Sequence, residues 1–179
     1  AECDMIRQRM EVHFSMDRKK RIDAAMGRVK ADLVFKNVNV VNVFSEEVVT
    51  TDVAVADGCV VGLGSYEGVR EVDGTDKFLC PGFIDAHLHM ESTLATPFEL
   101  ARLVTKSGTT TMIADPHEIV NVCGAAAVRY LLDATEQLPV NVYLMLPSSV
   151  PATAFETNGA DFTAQDMAPF WDHPRVLGL

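Results

Sequence analysis

The spacing of hydrophobic and polar positions changes twice along the chain, near residues 31 and 81. Residues 5–29 place Met, Ile and Ala at loosely helical spacing, which predicts one or two helices. Residues 31–80 are rich in valine and contain few strong helix formers, which predicts a small β subdomain. The remainder, residues 81–179, alternates strand-like and helix-like stretches and predicts a third type of architecture.

Within the β subdomain, Asp57-Gly58 separates two apolar stretches. Asp-Gly at such a position favours a type I′ hairpin turn, because both central residues of this turn require positive φ. Strands are expected at residues 32–42, 47–56, 59–63 and 77–80.

After Pro81, short apolar strands recur with helical stretches between them. Such β-then-α repeats predict parallel strands joined by helical crossovers. The predicted strands are Phe83–Ala86, Thr111–Ala114, Val142–Leu146 and Val176–Leu179. The predicted helices are residues 96–108 with a Thr-Pro start, the single stretch 118–138, and residues 163–173 from Thr163 with a break at Pro169.

Two parallel folds fit this alternation, a doubly wound sheet and a (β/α)8 barrel. No Gly-rich phosphate loop follows the first strand, whereas polar residues follow several strands, as in barrel active sites. The interpretation is therefore an α/β chain: N-terminal helices (1–30), a small β subdomain (31–80) and the first half of a (β/α)8 barrel (81–179). A barrel takes about 250 residues, so the sequence is expected to be truncated, with three β/α units and the start of a fourth strand.

Composition and charge narrow the choice of partners. With 48% hydrophobic and 22% charged residues, the chain can bury a core, and no apolar run predicts a membrane span. The net charge is −10, although Arg18-Lys19-Lys20-Arg21 is basic. A nucleic-acid patch is one interpretation of this run, but interleaved acids favour a solvated helix face, so no nucleic-acid partner is predicted. The four scattered cysteines predict reduced thiols and a cytoplasmic location.

The run PGFIDAHLHMES at 81–92 carries the strongest chemical signal. Side chains alternate faces along a strand, so Asp85, His87, His89 and Glu91 are expected on one face of a buried strand whose end turns polar. Two imidazoles at this spacing converge on one cation, which predicts His87 and His89 as metal ligands. Asp85 is expected to orient a histidine ring, and Glu91 to face the substrate.

A second polar group follows the next strand, with Asp115, His117 and Glu118. One interpretation places them at the barrel mouth, facing the substrate or metals. The alternative makes Asp115 an N-cap, with Pro116 at the first helical position and Glu118 at the third. Asp115 and Glu118 fit both interpretations, with Asp115 as a supporting residue of the site. His117 is not needed for a cap, so it is predicted with Glu91 and Glu118 as a catalytic candidate.

PGFIDAHLHMES resembles the first-strand signature of the amidohydrolase superfamily, in which a small β subdomain precedes a (β/α)8 barrel. Together with DGCVVGLG, GTTTMIADPHEIVNVCG and the final VLGL, it resembles the bacterial-type adenine deaminase family from about residue 31 onward. ADPHEIVNV is the discriminating stretch. His87 and His89 match that family's first-strand ligands, and the resemblance implies further ligands from later strands, beginning with a carboxylate just past Leu179.

The resemblance implies conversion of adenine and water to hypoxanthine and ammonia in purine salvage. It also implies a paired manganese or iron site, although these ligand types alone do not distinguish either metal from zinc. The implied partner is a small-molecule purine base, and the full-length parent is expected to form a homo-oligomer. Two alternatives stay open: another amidohydrolase, such as a cyclic-amide hydrolase or a deacetylase, and an inactive truncated module with a binding or structural role.

Overall fold

The computed structural model describes residues 17–179 and divides into two compact units, one up to Pro81 and one spanning Gly82–Leu179. Each unit is described by itself. The predicted helical stretch 5–29 lies partly outside the described residues. Across residues 17–179, none of the helices combines the length and apolarity that a membrane span requires.

The first unit begins with the helix α1, Arg18–Ala25, which Asp17 caps by accepting the Lys20 N–H at 3.0 Å. Two of its basic residues pair closely with acids: the Lys19 ammonium lies 2.9 Å from Asp23, and the Lys20 ammonium lies 2.8 Å from Asp32. The basic run is therefore a solvated helix face with carboxylate partners, as its composition predicted.

A five-stranded sheet follows α1, with the strands β1 (Ala31–Asn42), β2 (Glu47–Ala56), β3 (Cys59–Leu63), β4 (Gly68–Asp73) and β5 (Phe78–Leu79). Its strands run in the spatial order β3-β2-β1-β4, with β5 also beside β1. The pairs β1–β2 and β2–β3 are antiparallel, whereas β4 and β5 are parallel to β1. The sequence predicted four of these five and missed β4.

The turn between β2 and β3 has the predicted conformation. Asp57 and Gly58 both have positive φ, 51° and 72°, as a type I′ hairpin requires. The Asp57 N–H also donates to the Asp32 carboxylate at 2.8 Å, which ties this turn to the start of β1.

Strand β1 contains a bulge that a buried carboxylate stabilises. The register with β2 shifts between Phe35 and Val38, and Asn37 has φ 55°, in the left-handed region. The Asp52 carboxylate, in a residue only 8% exposed, accepts the Asn37 N–H at 3.0 Å and pairs with the Lys36 ammonium. The Asp52 side chain of β2 therefore satisfies both the free N–H of Asn37 and the ammonium group of Lys36 at the bulge.

The second unit contains a four-stranded parallel sheet in which each strand lies beside its predecessor in the chain. The strands are β6 (Phe83–Leu88), β7 (Thr109–Ala114), β8 (Asn141–Met145) and β9 (Val176–Gly178). The helices between them are α2 (Pro97–Thr105), α3 (His117–Cys123), α4 (Ala125–Ala134) and α5 (Ala164–Met167). Short 3-10 turns lie at Glu91–Thr93 and Ala168–Phe170.

The core of this unit lies between the sheet and its crossover helices. Met112 and Leu144 on the central strands are fully buried and belong to one cluster with Ala101 of α2 and Val128 of α4. Arg175, just before β9, donates to the Thr135 hydroxyl at 2.7 Å and to the Leu132 carbonyl, which ties the end of α4 to the sheet.

Two expectations for this unit were wrong. The predicted single helix 118–138 is divided at Gly124, whose φ of 58° and ψ of −141° end α3 before α4 begins. The predicted buried strand β6 has exposed residues from Phe83 to His87, because β6 is the edge strand of the described sheet. By contrast, α2 begins at its Thr96 cap as predicted, and α5 gives way to a 3-10 turn at Pro169.

Candidate metal centre

The candidate residues converge where two parallel strands end. His87 is the penultimate residue of β6, and His89 follows the strand directly. Asp115 follows β7, while His117 and Glu118 form the first turn of α3. Because parallel neighbours end at the same edge of a sheet, residues distant in sequence meet there.

The three imidazoles form a close group at this edge. The ring centroids of His87 and His89 lie 5.0 Å apart with an interplanar angle of 88°. Those of His89 and His117 lie 5.1 Å apart at 89°. His89 is therefore the central ring, and its orientation determines what the group can bind.

The main chain of β7's end orients His89. Its Nδ1–H donates to the Asp115 carbonyl oxygen at 2.7 Å, which leaves Nε2 with a free lone pair. This hydrogen bond is also the largest cause that raises the pKa of His89 above its usual 6.5. A cation at Nε2 would therefore displace a proton that neighbouring groups favour.

The donor set fits a divalent cation. One ligand atom each from His87, His89 and Asp115 lie within 4.8 Å of one another. The Asp115 Oδ1 oxygen is buried and has no hydrogen-bond partner within residues 17–179. A buried oxygen of this kind is costly unless a proton or a cation satisfies it. Imidazole and carboxylate ligands together suit manganese, iron and zinc.

The Oε2 oxygen of Glu118 faces the three imidazoles. Its Oε1 accepts the Ser92 hydroxyl at 3.0 Å, and its Oε2 lies 3.2 Å from Nδ1 of His89 and 3.6 Å from Nδ1 of His117. A second donor group comprises these two histidines and Glu118, again within 4.8 Å. Burial alone would raise the pKa of Glu118, but hydrogen bonds from its own N–H, Glu91 and Ser92 lower it.

Glu91 contacts the start of α3. Its Oε1 accepts the backbone N–H groups of Glu118 and Ile119 at 3.1 and 3.2 Å. Burial is the main cause that raises the pKa of Glu91. The alternative interpretation in which Asp115 caps this helix was wrong: Pro116 occupies the N-cap position without a side-chain hydrogen bond, and Glu91 satisfies the free N–H groups from another segment.

Among the described residues, the Asp85 carboxylate hydrogen-bonds to the main chain and not to an imidazole nitrogen. Its Oδ1 accepts the His87 backbone N–H at 3.3 Å. The ring-orienting contact that the sequence suggested for Asp85 is made, for His89, by the Asp115 carbonyl. A main-chain atom leaves no residue signature, so sequence reasoning had no means of finding it.

Ser92 is the site residue that sequence reasoning missed. It contacts Glu118 across 26 positions of sequence. A serine after a strand is common, and only the fold of the 3-10 turn reveals its partner. The one signal available was its position directly after Glu91 in the motif.

Comparison with known proteins places this geometry in context. Residues 78–175 match the model of the amidohydrolase family. The chain is 57% identical over 163 residues to an adenine deaminase of Desulfitobacterium hafniense, covering 91% of the chain and 29% of the relative. It is 51% identical over 161 residues to adenine deaminase 2 of Carboxydothermus hydrogenoformans, covering 90% and 28%. The chain thus spans less than a third of the length of these curated relatives.

A solved structure shares the fold. The N-acyl-D-glutamate deacylase of Bordetella bronchiseptica, solved with zinc and a phosphonate inhibitor, matches 78% of the chain and 34% of its own length. The TM-score is 0.52 at 20% sequence identity. At this identity the likeness concerns the backbone architecture alone.

Proposed function

The chain belongs to the amidohydrolase family, and on this premise we propose that it is part of a metal-dependent deaminase that converts adenine and water to hypoxanthine and ammonia. The observation that carries the proposal is the 57% identity to an adenine deaminase over 91% of the chain. Because the chain spans 29% of that relative, the activity is proposed for a longer protein that includes it, here called the complete protein.

We also propose that the second unit forms the first part of a (β/α)8 barrel. Its strands follow one another in chain order, β6-β7-β8-β9, without the reversal of strand order that defines a doubly wound sheet. The site at the strand ends agrees with the usual location of barrel active sites. The backbone likeness to the deacylase structure supports the same architecture.

His87 and His89 would hold a divalent metal, for which we propose manganese or iron in a paired site. When bound, such a metal supplies Lewis acidity, which makes water an effective nucleophile at neutral pH. The chain's contribution is orientation. The Asp115 carbonyl fixes the His89 ring with Nε2 free, and the buried Asp115 Oδ1 adds an anionic oxygen beside it.

Glu118 is the proposed proton carrier of this part of the site. Its lowered pKa keeps it ionised near neutrality, so Oε2 can accept the proton that water loses as its oxygen bonds to C6 of adenine. The same oxygen can pass that proton to N1 of the ring and then carry the remaining proton of the new C6 hydroxyl to the amine. The amine leaves as ammonia when the C6–N bond breaks, and the C6 carbonyl of hypoxanthine forms. His117, whose side chain is 45% exposed beside Oε2, is proposed to contact the base.

Cys80 and Cys123 are free thiols in the part of the chain that the structure describes, which supports a reducing compartment, and we propose a cytoplasmic location.

The test is ammonia release by the purified complete protein. The substrates are adenine, adenosine, cytosine, dihydroorotate and an N-acetyl amino acid, with ring opening or deacylation followed for the last two. Adenine is expected to be preferred, with adenosine much slower. Clear preference for any of the other four would contradict the proposal, and preference for either of the last two would favour another amidohydrolase activity.

A further inference from the structure

The turn after β6 holds the first turn of α3 by both main chain and side chain. Glu91 accepts the N–H groups of Glu118 and Ile119, and Ser92 donates its hydroxyl to the Glu118 side chain. Backbone and carboxylate of Glu118 are therefore fixed by two consecutive residues of a different segment. This double attachment exceeds what an ordinary helix cap provides, since a cap satisfies only backbone groups.

The two oxygens of Glu118 consequently differ. Oε1 accepts the Ser92 hydroxyl at 3.0 Å, whereas Oε2 is buried beside the rings of His89 and His117. Oε2 lies 3.2 Å from Nδ1 of His89, but that nitrogen already donates to the Asp115 carbonyl. The carboxyl group of Glu91 also hydrogen-bonds to the Glu118 carboxylate, so Ser92 is one of two side chains that hold this carboxylate beside the imidazole group.

We propose that Ser92 is a positioning residue: its hydroxyl fixes Oε1 of Glu118, so that Oε2 alone faces the reacting proton. This inference rests on the proposed function, in which Glu118 carries that proton. Without the hydroxyl, Oε1 loses its donor, and both oxygens of the carboxylate compete for the remaining one, the carboxyl group of Glu91. Such a loss of orientation lowers the rate of the chemical step and leaves substrate binding nearly unchanged.

Ser92 is suited to a specific test because it is exposed and lies outside the buried core of its unit. Glu91 continues to hold the backbone of α3 when the hydroxyl is removed. The expected effect of Ser92→Ala is a fall in kcat of about tenfold, the equivalent of one hydrogen bond to a charged group, with KM within about twofold. Ser92→Thr retains a hydroxyl and is expected to restore most of the rate.

The experiment compares these variants in the complete protein, with metal content and melting temperature measured for each. Ser107→Ala, at an exposed serine beyond α2, is the matched control and should behave as wild type. In a Glu118→Ala background, Ser92→Ala should have no further effect on kcat, because Ser92 acts through Glu118. That lack of additivity, together with rescue by threonine, would support the proposal.

An unchanged kcat in Ser92→Ala would overturn it, as would an equal loss in the Glu118→Ala background. A fall in melting temperature or metal content that accounts for the lost rate would also overturn it. If another substrate of the panel is preferred to adenine, the same comparison is made on that substrate. The proposed function then fails while the role of Ser92 is still decided. A complete protein that turns over no member of the panel would overturn both.

Discussion

Replacing Asp52 should loosen β1 and β2 by an amount that the contacts of its carboxylate determine. The carboxylate accepts the Asn37 N–H in the β1 bulge and pairs with Lys36. Asp52→Ala removes both contacts and leaves the Asn37 N–H without its partner. The Lys36 side chain is 29% exposed, so solvent screens its contribution, and only the backbone hydrogen bond and its desolvation are counted in full. The expected loss is about 2 kcal/mol.

Hydrogen exchange followed by mass spectrometry measures this loss locally, which avoids assuming that the two units unfold together. A loss of about 2 kcal/mol corresponds to exchange about 30 times faster in peptides of β1 and β2. Asp52→Asn retains an oxygen for Asn37 and should lie between wild type and Asp52→Ala. Asp73→Asn is the matched control, because Asp73 accepts the Thr75 N–H in an exposed turn.

The pH dependence of hydrogen exchange gives a second test of the role of Asp52. The hydrogen bond from Lys36 is the main cause that lowers the pKa of Asp52 below its usual 3.8, and the Asn37 N–H acts in the same direction. A depressed carboxyl pKa stabilises the folded state fully above 3.8, and this stabilisation is lost as the pH falls through the lower folded pKa. The difference in exchange between wild type and Asp52→Asn should therefore be constant near neutrality and shrink at lower pH. Exchange in Asp52→Ala within threefold of wild type at neutral pH would refute this account of the bulge.

Three further predictions concern the second unit. His87→Ala or His89→Ala in the complete protein should lower both bound metal, measured by elemental analysis, and adenine turnover by several orders of magnitude; survival of both quantities would contradict the ligand assignment. Arg175→Ala should lower the free energy of unfolding, measured in urea, by about 2 kcal/mol, because the hydrogen bonds to Thr135 and the end of α4 are lost. The exposed control Arg102→Ala should lower it by less than about 0.5 kcal/mol, and equal effects of the two changes would contradict the argument. The 179-residue chain alone should bind metal weakly, release negligible ammonia and associate on size exclusion through the exposed edge strand β6; a monodisperse monomer that deaminates adenine would show the reasoning to be wrong.

The elements that the sequence predicted best are those with local signals. Asp57-Gly58 fixes the hairpin, and Thr96 with the following proline fixes the start of α2. Strand β4 was missed because GVREVD is short and half of its residues are charged, and its pairing with β1 is a tertiary contact that the local sequence pattern does not show. The split at Gly124 was missed because alanines on its C-terminal side continue the helical pattern across it.

In the candidate site, too, the sequence predicted what depends on local signals and missed what depends on tertiary contacts. Strand alternation was enough to bring His87 and His89 together, since their side chains are two positions apart. The contacts that orient the site are long-range: the Asp115 carbonyl to His89, and Ser92 to Glu118. These depend on the three-dimensional path of two connections after neighbouring strands. A single sequence contains the residues but not their pairing.

The bond between His89 and the Asp115 carbonyl also bears on which substitutions the site tolerates. The acceptor is a main-chain atom, so every residue type at position 115 still provides it as long as β7 keeps its path. In a saturation library, losses of activity at position 115 should therefore reflect the missing carboxylate alone. Losses of activity at position 89 should reflect both the missing metal ligand and the missing imidazole whose tautomer the Asp115 carbonyl fixes. A backbone shift at the end of β7 would move the Asp115 carbonyl and disturb the His89 ring without a change in either residue. Substitutions at Met112 and Ala114, which are buried near that end of the strand, can therefore alter the orientation of His89 from a distance.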